Sequence, residues 1–233
     1  MSSSRIKRSA EEVLRSLEND PAHMQRQSNL ARSQELHIAQ HLSAVAPVVA
    51  DLRRLGFDVG SVQELYQRRI DYRAAVPVLL HWLPQVSNES VKETIIRALS
   101  VRWARRIATP ALIREYDRQV DRPAGIKWAI GNALSVVADD SDIQEVIRLV
   151  RDVKNGKSRE MVALALGNMQ NPMAVDVLID LLADEEICGH AIMALGRLKA
   201  KKARSLIETF QGHTKPWIRT EAKRALAKID RAC

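Results

Sequence analysis

Two histidines and a glutamate near the start of the chain have the residue types and spacing of a metal site. His37 and His41 lie four residues apart, so both imidazoles would share one face of a helix, and Glu35 is nearby. Zinc proteases that use such a pair place a glutamate directly after the first histidine, whereas Ile38 stands there in this chain. Solvated or partly buried histidines are the alternative interpretation, and no metal is predicted.

The remaining sequence lacks other common catalytic motifs. It contains no glycine-rich phosphate loop, no nucleophile elbow and no carboxylate pair in a catalytic context. Cys188 and Cys233 are isolated and neither lies in a C-x-x-C pair, which is evidence against a disulfide framework or a thiolate metal site. The sequence favours a non-enzymatic protein without a cofactor, and an enzyme with an unrecognised site stays open.

The histidines belong to a long helical pattern that precedes the rest of the fold. From about residue 23 to residue 55, apolar residues recur with a roughly helical period, and Gly56 ends the pattern. Pro47 lies inside this stretch and predicts a kink or a split into two helices. A shorter pattern predicts another helix that begins near Ser9.

From Asp71 onward, one dipeptide recurs in the same helical context. An Ala-Leu step appears five times, at spacings of 35, 32, 29 and 31 residues. The five steps are Ala98-Leu99, Ala133-Leu134, Ala165-Leu166, Ala194-Leu195 and Ala225-Leu226. Apolar residues recur at −7, −3, +1 and +4 from the alanines, with Arg102 and Ser158 as exceptions, and these offsets form one face of a helix. This face predicts the buried side of the second helix in each helix pair.

A second ladder supports the same register. The preceding helices carry apolar pairs at matching positions: Val78-Leu79, Leu112-Ile113, Val146-Ile147, Val177-Leu178 and Leu206-Ile207. Helix starts are predicted at Thr109 before Pro110 and at Asn171 before Pro172. Because one pair cannot bury its apolar face alone, we predict an all-α solenoid of about five helix pairs over residues 71–233, with an N-terminal helical cap over residues 1–70.

The repeat unit resembles the short HEAT-like repeats of phycobilin-lyase-type proteins. The stretch that carries the resemblance is AVDVLIDLLADEEICGHAIMALGRLKA, from Ala174 to Ala200, with weaker copies on either side. The resemblance implies a right-handed superhelix whose second helices line a concave face, and many members of the family are binding scaffolds. The first 70 residues resemble extensions found on bacterial HEAT-like proteins.

Other activities found among HEAT-like proteins have little support in this sequence. Di-iron hydroxylases present several His-Glu dipeptides, and this chain has none. Alkylpurine DNA glycosylases stabilise a cationic sugar with a carboxylate beside aromatic side chains, whereas Trp128 is followed four residues later by the neutral Asn132. The repeats alone do not specify the chaperoning of a tetrapyrrole by a bilin lyase.

The predicted concave face supplies the candidate binding residues. Offsets −5, −2 and +2 from each alanine are expected to point away from the core, and a basic ladder recurs at −6, where one repeat has Cys188 instead. The ladder either pairs with carboxylates between repeats or forms a positive track for a partner. Trp128 either packs on a neighbouring helix or contacts that partner. The candidates are Lys92, Ile96, Lys127, Trp128, Arg159, Arg219 and Lys223.

The charge distribution leaves two classes of partner open. The formal net charge is +8, and residues 201–233 contain nine basic and three acidic side chains. A protein segment is the predicted partner, and nucleic acid is the alternative.

The sequence contains no apolar run of the roughly 18 residues needed to cross a bilayer, and no apolar segment follows its first basic residues as in a signal peptide. We therefore expect a cytoplasmic protein without a membrane partner; the oligomeric state is not predicted.

Overall fold

The structure is a computed structural model that describes residues 20–120 and 125–231. Within these two ranges the chain forms α-helices joined by short turns, several of them 3-10 helices, and it forms no β-strand. The helix expected near Ser9 lies outside the described residues. This composition of elements confirms the all-α class.

Two helices precede a regular array of helix pairs. The first is α1 (Pro21–Arg54) and the second is the short α2 (Gln63–Gln67). The pairs are α3 (Val76–Trp82) with α4 (Glu89–Leu99), α5 (Arg105–Arg118) with α6 (Ile126–Val137), α7 (Ile143–Arg151) with α8 (Arg159–Leu166), α9 (Pro172–Asp180) with α10 (Cys188–Leu198), and α11 (Arg204–Thr209) with α12 (Pro216–Asp230). The predicted solenoid of about five helix pairs is confirmed.

The Ala-Leu register places the core where the sequence predicts it. All ten residues of the five steps are buried, and Leu134, Leu166 and Leu195 have no exposed surface. The first helices contribute their own buried ladder at the second position of each apolar pair, while Leu206, at the first position in α11, is exposed. The buried residues are Leu79, Ile113, Ile147, Leu178 and Ile207. A single continuous apolar cluster therefore extends from the end of α1 to α12.

The second helices pack more closely along the array than the first helices do. Two glycines permit this approach: a Cβ atom added to Gly167 would lie 2.8 Å from the Cα of Ala194, and one added to Gly196 would lie 2.8 Å from the Cα of Ala225. The row with the closer spacing lies on the inner side of a curved stack. The surface along α4, α6, α8, α10 and α12 is therefore the inner surface of the solenoid.

This close packing corrects the expected orientation of several positions. Ile96, Ala163 and Ile192, at offset −2, are buried, as are Gly167 and Gly196 at offset +2. The prediction that these offsets point away from the core was wrong in those repeats, because the next second helix covers them. An isolated amphipathic helix buries one stripe, whereas a helix inside a stack is covered on more sides.

The long helix α1 has two halves in different surroundings. Its C-terminal half packs on α3 and α4 through Val45, Val48, Val49 and Leu52. The N-terminal half is exposed, and its apolar side chains include Ile38, which is 61% exposed. The split predicted at Pro47 does not occur, since the helix continues through that residue. A domain boundary at residue 70 stays a prediction.

The sequence also predicted helix starts at Ser90 and Ser141, which were wrong because Asn88 and Asp139 provide the caps there, and of the two starts before a proline one is confirmed. The side chain of Asn171 accepts a hydrogen bond from the amide of Met173 at 3.0 Å and caps α9. The start predicted at Thr109 was wrong, because α5 begins at Arg105 and contains Pro110. The Thr109 hydroxyl instead donates to the carbonyl of Arg105 at 2.6 Å, inside the helix.

Candidate functional site

The basic ladder lies at the N-terminal ends of the second helices, where most of its members are buried. Lys92 is 7% exposed and forms an ion pair with Glu115 of the next helix pair. The Lys127 ammonium donates to the carbonyl of Gln119 at 3.2 Å and lies 4.8 Å from the ring centroid of Tyr116. These two lysines therefore have partners within the fold.

Arg159 has the most complete set of partners in the ladder. Its side chain is 3% exposed, and it bonds to Asp184 at 2.7 Å and to Glu186 at 3.0 Å, both of which belong to the loop before α10. Its Nε atom also donates to the carbonyl of Gly156 at 3.0 Å. These charge-assisted bonds to two carboxylates connect the third helix pair to the fourth.

The last members of the ladder differ from the first three. Arg219 is half-buried and donates to the carbonyls of His213 and Thr214, at 2.7 and 3.0 Å, just before its own helix. Cys188 is buried, and burial raises the pKa of its thiol. Contact between the ladder and a partner stays a prediction. Because most of the ladder is buried, the more exposed surface of the second helices lies away from it.

Trp128 lies at the edge of a cleft between α4 and α6. The cleft has a volume of about 230 Å³, and its wall includes Ile96, Arg97, Ala129 and Asn132. Trp128 is half-buried, while Ile96 is 1% exposed and forms part of the floor. The structure thus brings two of the sequence-predicted candidates to one cleft on the inner surface.

Polar groups surround the indole in this cleft. The Arg97 guanidinium donates to Glu93 at 2.6 Å, an ion pair within α4. The side chain of Asn132 is exposed on α6, and the structure gives it no hydrogen bond within the described residues. A free carboxamide offers both a donor and an acceptor, which is the pair of groups that an extended peptide backbone presents.

A second cleft lies next to the first, at the C-terminal ends of the second helices. Its volume is about 450 Å³, and three arginines line it: Arg102, Arg105 and Arg197. Val136, Asn168 and Ser135 complete the wall, and the Asn168 amide donates to the carbonyl of Ser135 at 2.6 Å. We refer to this site as the arginine cleft. Sequence reasoning missed it because Arg197 comes from a helix pair two further along the array than Arg102 and Arg105.

The three arginines have no ion pair within the described part of the chain. Arg105 is half-buried, and its Nε atom is buried without a hydrogen-bond partner there. Hydrogen bonds from Ser141 chiefly lower the pKa of the Asp139 carboxyl, and the charges of Arg105 and Arg106 lower it further. Arg105 thus acts on this carboxylate through space without an ion pair. The cleft therefore carries positive charge that Asp139 and Asp142 offset only in part and without an ion pair among the described residues.

His190 on α10 is a further titratable group on the inner surface. Its ring lies 5.6 Å from that of Trp217, and its Nδ1 atom is buried without a hydrogen-bond partner among the described residues. Burial lowers the pKa of this imidazole. The tryptophan covers Gly189, where a Cβ would lie 2.0 Å from the indole, so the pair fills a gap that a larger residue would close.

The histidines considered for a metal site are exposed on the projecting half of α1. His37 Nδ1 lies 3.0 Å from the carbonyl of Ser33 in its own helix. In residues 20–120 and 125–231, no group of three or more histidine, cysteine or carboxylate side chains is placed to hold a metal ion. Among the helices in those ranges, none has the length and apolar character required to cross a membrane.

Comparisons with known proteins agree with the repeat pattern. The model of the PBS lyase HEAT-like repeat matches residues 158–184. Solved structures that match include a designed armadillo repeat protein in complex with the peptide (KR)4, with 18% identity over 72% of this chain and 85% of that one and a TM-score of 0.45. Another designed armadillo repeat protein has 16% identity over the same shares and a TM-score of 0.42. None of the curated proteins compared with the chain matches it. Residues 158–184 thus match the same HEAT-like repeat family that the stretch from Ala174 to Ala200 resembles.

Proposed function

We propose that this protein is a non-enzymatic scaffold that binds a protein segment along the inner surface of its solenoid. The observation that carries the proposal is the cleft between α4 and α6, where the half-buried Trp128 lies beside the free carboxamide of Asn132. Tryptophan provides a large apolar contact area at small entropic cost, and it is enriched among residues that dominate binding energy. Asn132 can bond to the backbone of an extended segment.

The charges near this cleft favour an acidic segment. The arginine cleft adjoins it, and Lys223 is exposed further along the same surface, on α12. The segment that we propose would contact Trp128 and Asn132 with its apolar and backbone groups and Arg102 or Arg197 with its acidic ones. Lys92, Lys127 and Arg159 would support this surface from beneath through their internal pairs. We also propose the cytoplasm as its compartment and residue 70 as the end of the N-terminal cap.

Site-directed crosslinking tests the proposed surface. A photoreactive benzoylphenylalanine at Asn132 should crosslink to a protein in the native cell, whereas the same group at the exposed Gln144, on the first helix α7, should not. Adding Trp128→Ala to the Asn132 probe should reduce the crosslinked product at least fivefold. Equal crosslinking from the two positions would contradict binding along the inner surface.

Nucleic-acid binding is the second candidate function, and the arginine cleft favours it. The exposed Lys199 and Lys201 extend the positive surface toward the C-terminal pair. A titration of binding to DNA and RNA against salt concentration tests this function, because release of counterions from phosphates predicts a steep loss of affinity as salt rises. The absence of binding at low salt would contradict it.

A further inference from the structure

We infer that the arginine cleft is a subsite for a phosphate monoester, carried by a phosphorylated serine or threonine of the bound segment. This inference rests on the proposed function, because it specifies a chemical group on the segment. The cleft has a volume of about 450 Å³ and gathers three guanidinium groups from separate parts of the array. Arg102 and Arg105 flank the start of α5, while Arg197 belongs to α10, two pairs further along.

Carboxylates do lie near these guanidinium groups, since the charge of Arg105 acts to lower the pKa of both Asp139 and Asp142, yet they form no ion pair with the three arginines. The carboxylates at the neighbouring turn are occupied by backbone amides. Asp140 accepts hydrogen bonds from the amides of Gln170 and Asn171 at 2.7 and 3.0 Å, and Asp142 accepts one from the amide of Asp139 at 3.0 Å. Asp139 itself accepts from the amide and hydroxyl of Ser141, at 3.0 and 2.6 Å. The acids nearest the cleft thus cap turns and do not form ion pairs with its arginines.

The number of positive groups distinguishes a phosphate monoester from other anions. A phosphate monoester has nearly two negative charges at neutral pH and three terminal oxygens, so each of three arginines can bond to its own oxygen. A carboxylate offers one charge and two oxygens, and the phosphodiester of a nucleic acid offers one charge and two terminal oxygens. The Nε–H of Arg105 is buried and has no partner within the described residues, so it can report a change at this guanidinium without itself contacting the phosphate.

The polar residues of the wall hold the shape of the cleft. Asn168 donates to the carbonyl of Ser135 at 2.6 Å, and the Ser135 hydroxyl donates to the carbonyl of Asn132 at 2.7 Å. These bonds connect the end of α8 to the end of α6. The second bond reaches Asn132, the residue that we propose bonds to the backbone of the segment. A phosphorylated residue in the arginine cleft would therefore lie next to the segment held at Trp128.

Binding of a small probe to the full chain tests the inference without the segment. We would titrate N-acetylphosphoserine amide into the protein by calorimetry and follow the Nε–H resonance of Arg105 by NMR, with N-acetylaspartate amide as the carboxylate probe. The Arg102→Gln, Arg197→Gln variant should bind the phosphate probe at least tenfold more weakly. The matched control is Arg114→Gln, Arg231→Gln, which removes the same charge from two exposed arginines outside the cleft. This control should bind within twofold of the wild type.

Two results would overturn the inference. One is equal loss of affinity in the cleft variant and in the matched control, since that would indicate attraction by net charge alone. The other is tighter binding of the carboxylate probe, or of a short single-stranded RNA, than of the phosphate probe under the same salt conditions. Thermal unfolding of both variants checks that the fold is intact. Because the probe needs no segment, failure here leaves the crosslinking result at Asn132 intact, and failure of crosslinking leaves phosphate binding intact.

Discussion

The inner row of helices has basic residues in two contrasting settings. Near the N-terminal ends of the second helices, Lys92, Lys127 and Arg159 are buried and bonded within the chain. Near the C-terminal ends, Arg102 and Arg197 line an open cleft without an ion pair in the described residues. The difference follows from burial, because a buried cation is stable only with a partner, whereas an exposed one is solvated. Cations at the N-terminal end of a helix also oppose its dipole, which makes a partner more necessary there.

A charge that recurs along a solenoid does not have to form a binding surface. Two members of the ladder connect one helix pair to the next, through the pairing of Lys92 with Glu115 and of Arg159 with Asp184 and Glu186. The arginines of the cleft follow no regular spacing, yet they meet at one place on the surface. The regularly recurring cations of the ladder are packed within the fold, whereas the irregularly spaced arginines meet at the candidate subsite.

The largest effect should come from breaking the most deeply buried pair. Lys92→Met leaves the carboxylate of Glu115, which is 2% exposed, without its closest cation. The carboxylate keeps a hydrogen bond from the Gln119 amide to Oε1 at 2.6 Å, while its Oε2 atom has no hydrogen bond among the described residues and lies 3.6 Å from the exposed Arg118 guanidinium. We expect a loss of about 3–5 kcal/mol in the free energy of unfolding, measured by urea denaturation. A loss below about 0.5 kcal/mol would show that this lysine is not needed for folding, in contradiction of the comparison.

A smaller loss is expected where the counter-charges are closer to water. Arg159→Met removes a buried guanidinium, but the side chains of Asp184 and Glu186 are 27% and 47% exposed and can be hydrated after the change. We expect the free energy of unfolding to decrease by about 2 kcal/mol in the same urea denaturation assay. A larger loss of unfolding free energy in Arg159→Met than in Lys92→Met would show that the exposure of the remaining carboxylates does not determine the loss.

His190 is an intermediate case, because it is partly buried and has two carboxylates near it, Glu160 and Glu221, the second of which partly offsets the effect of burial on its pKa. Its imidazole lies 4.0 Å from Glu160, and burial lowers its pKa. The unfolded chain therefore binds more protons below the unfolded pKa of about 6.5, so stability should fall as pH decreases through that value. Unfolding measured between pH 7.5 and pH 5 should depend less on pH in His190→Gln. The exposed His81→Gln variant is the control and should keep the wild-type profile.

The smallest effect on stability should come from the cleft itself. Arg197→Gln removes an exposed guanidinium that has no ion pair in the described residues. We expect the free energy of unfolding to change by less than about 0.5 kcal/mol. A loss above about 1.5 kcal/mol would mean that the arginine stabilises the fold, and the distinction between paired and open cations would not hold.

The sequence alone determined the helix pairs, their order and the register of their buried faces. These features depend on periodicity within one helix, which is local and readable from the Ala-Leu steps and from a cap such as Asn171. The sequence also left two alternatives for the basic ladder, which are internal pairing and contact with a partner. It did not identify the carboxylate that lies opposite each cation.

Only the tertiary structure decided which charges meet. Glu115 lies 23 residues from Lys92 along the chain, and Asn168 lies 33 residues from Ser135, yet each pair is in contact. Such distances depend on how far successive pairs rotate and how closely their second helices approach. The approach in turn depends on small residues such as Gly167 and Gly196, each of which contacts a different helix. A single helical pattern contains no information on that rotation, so the convergence of Arg102, Arg105 and Arg197 on one cleft could be seen only in the folded chain.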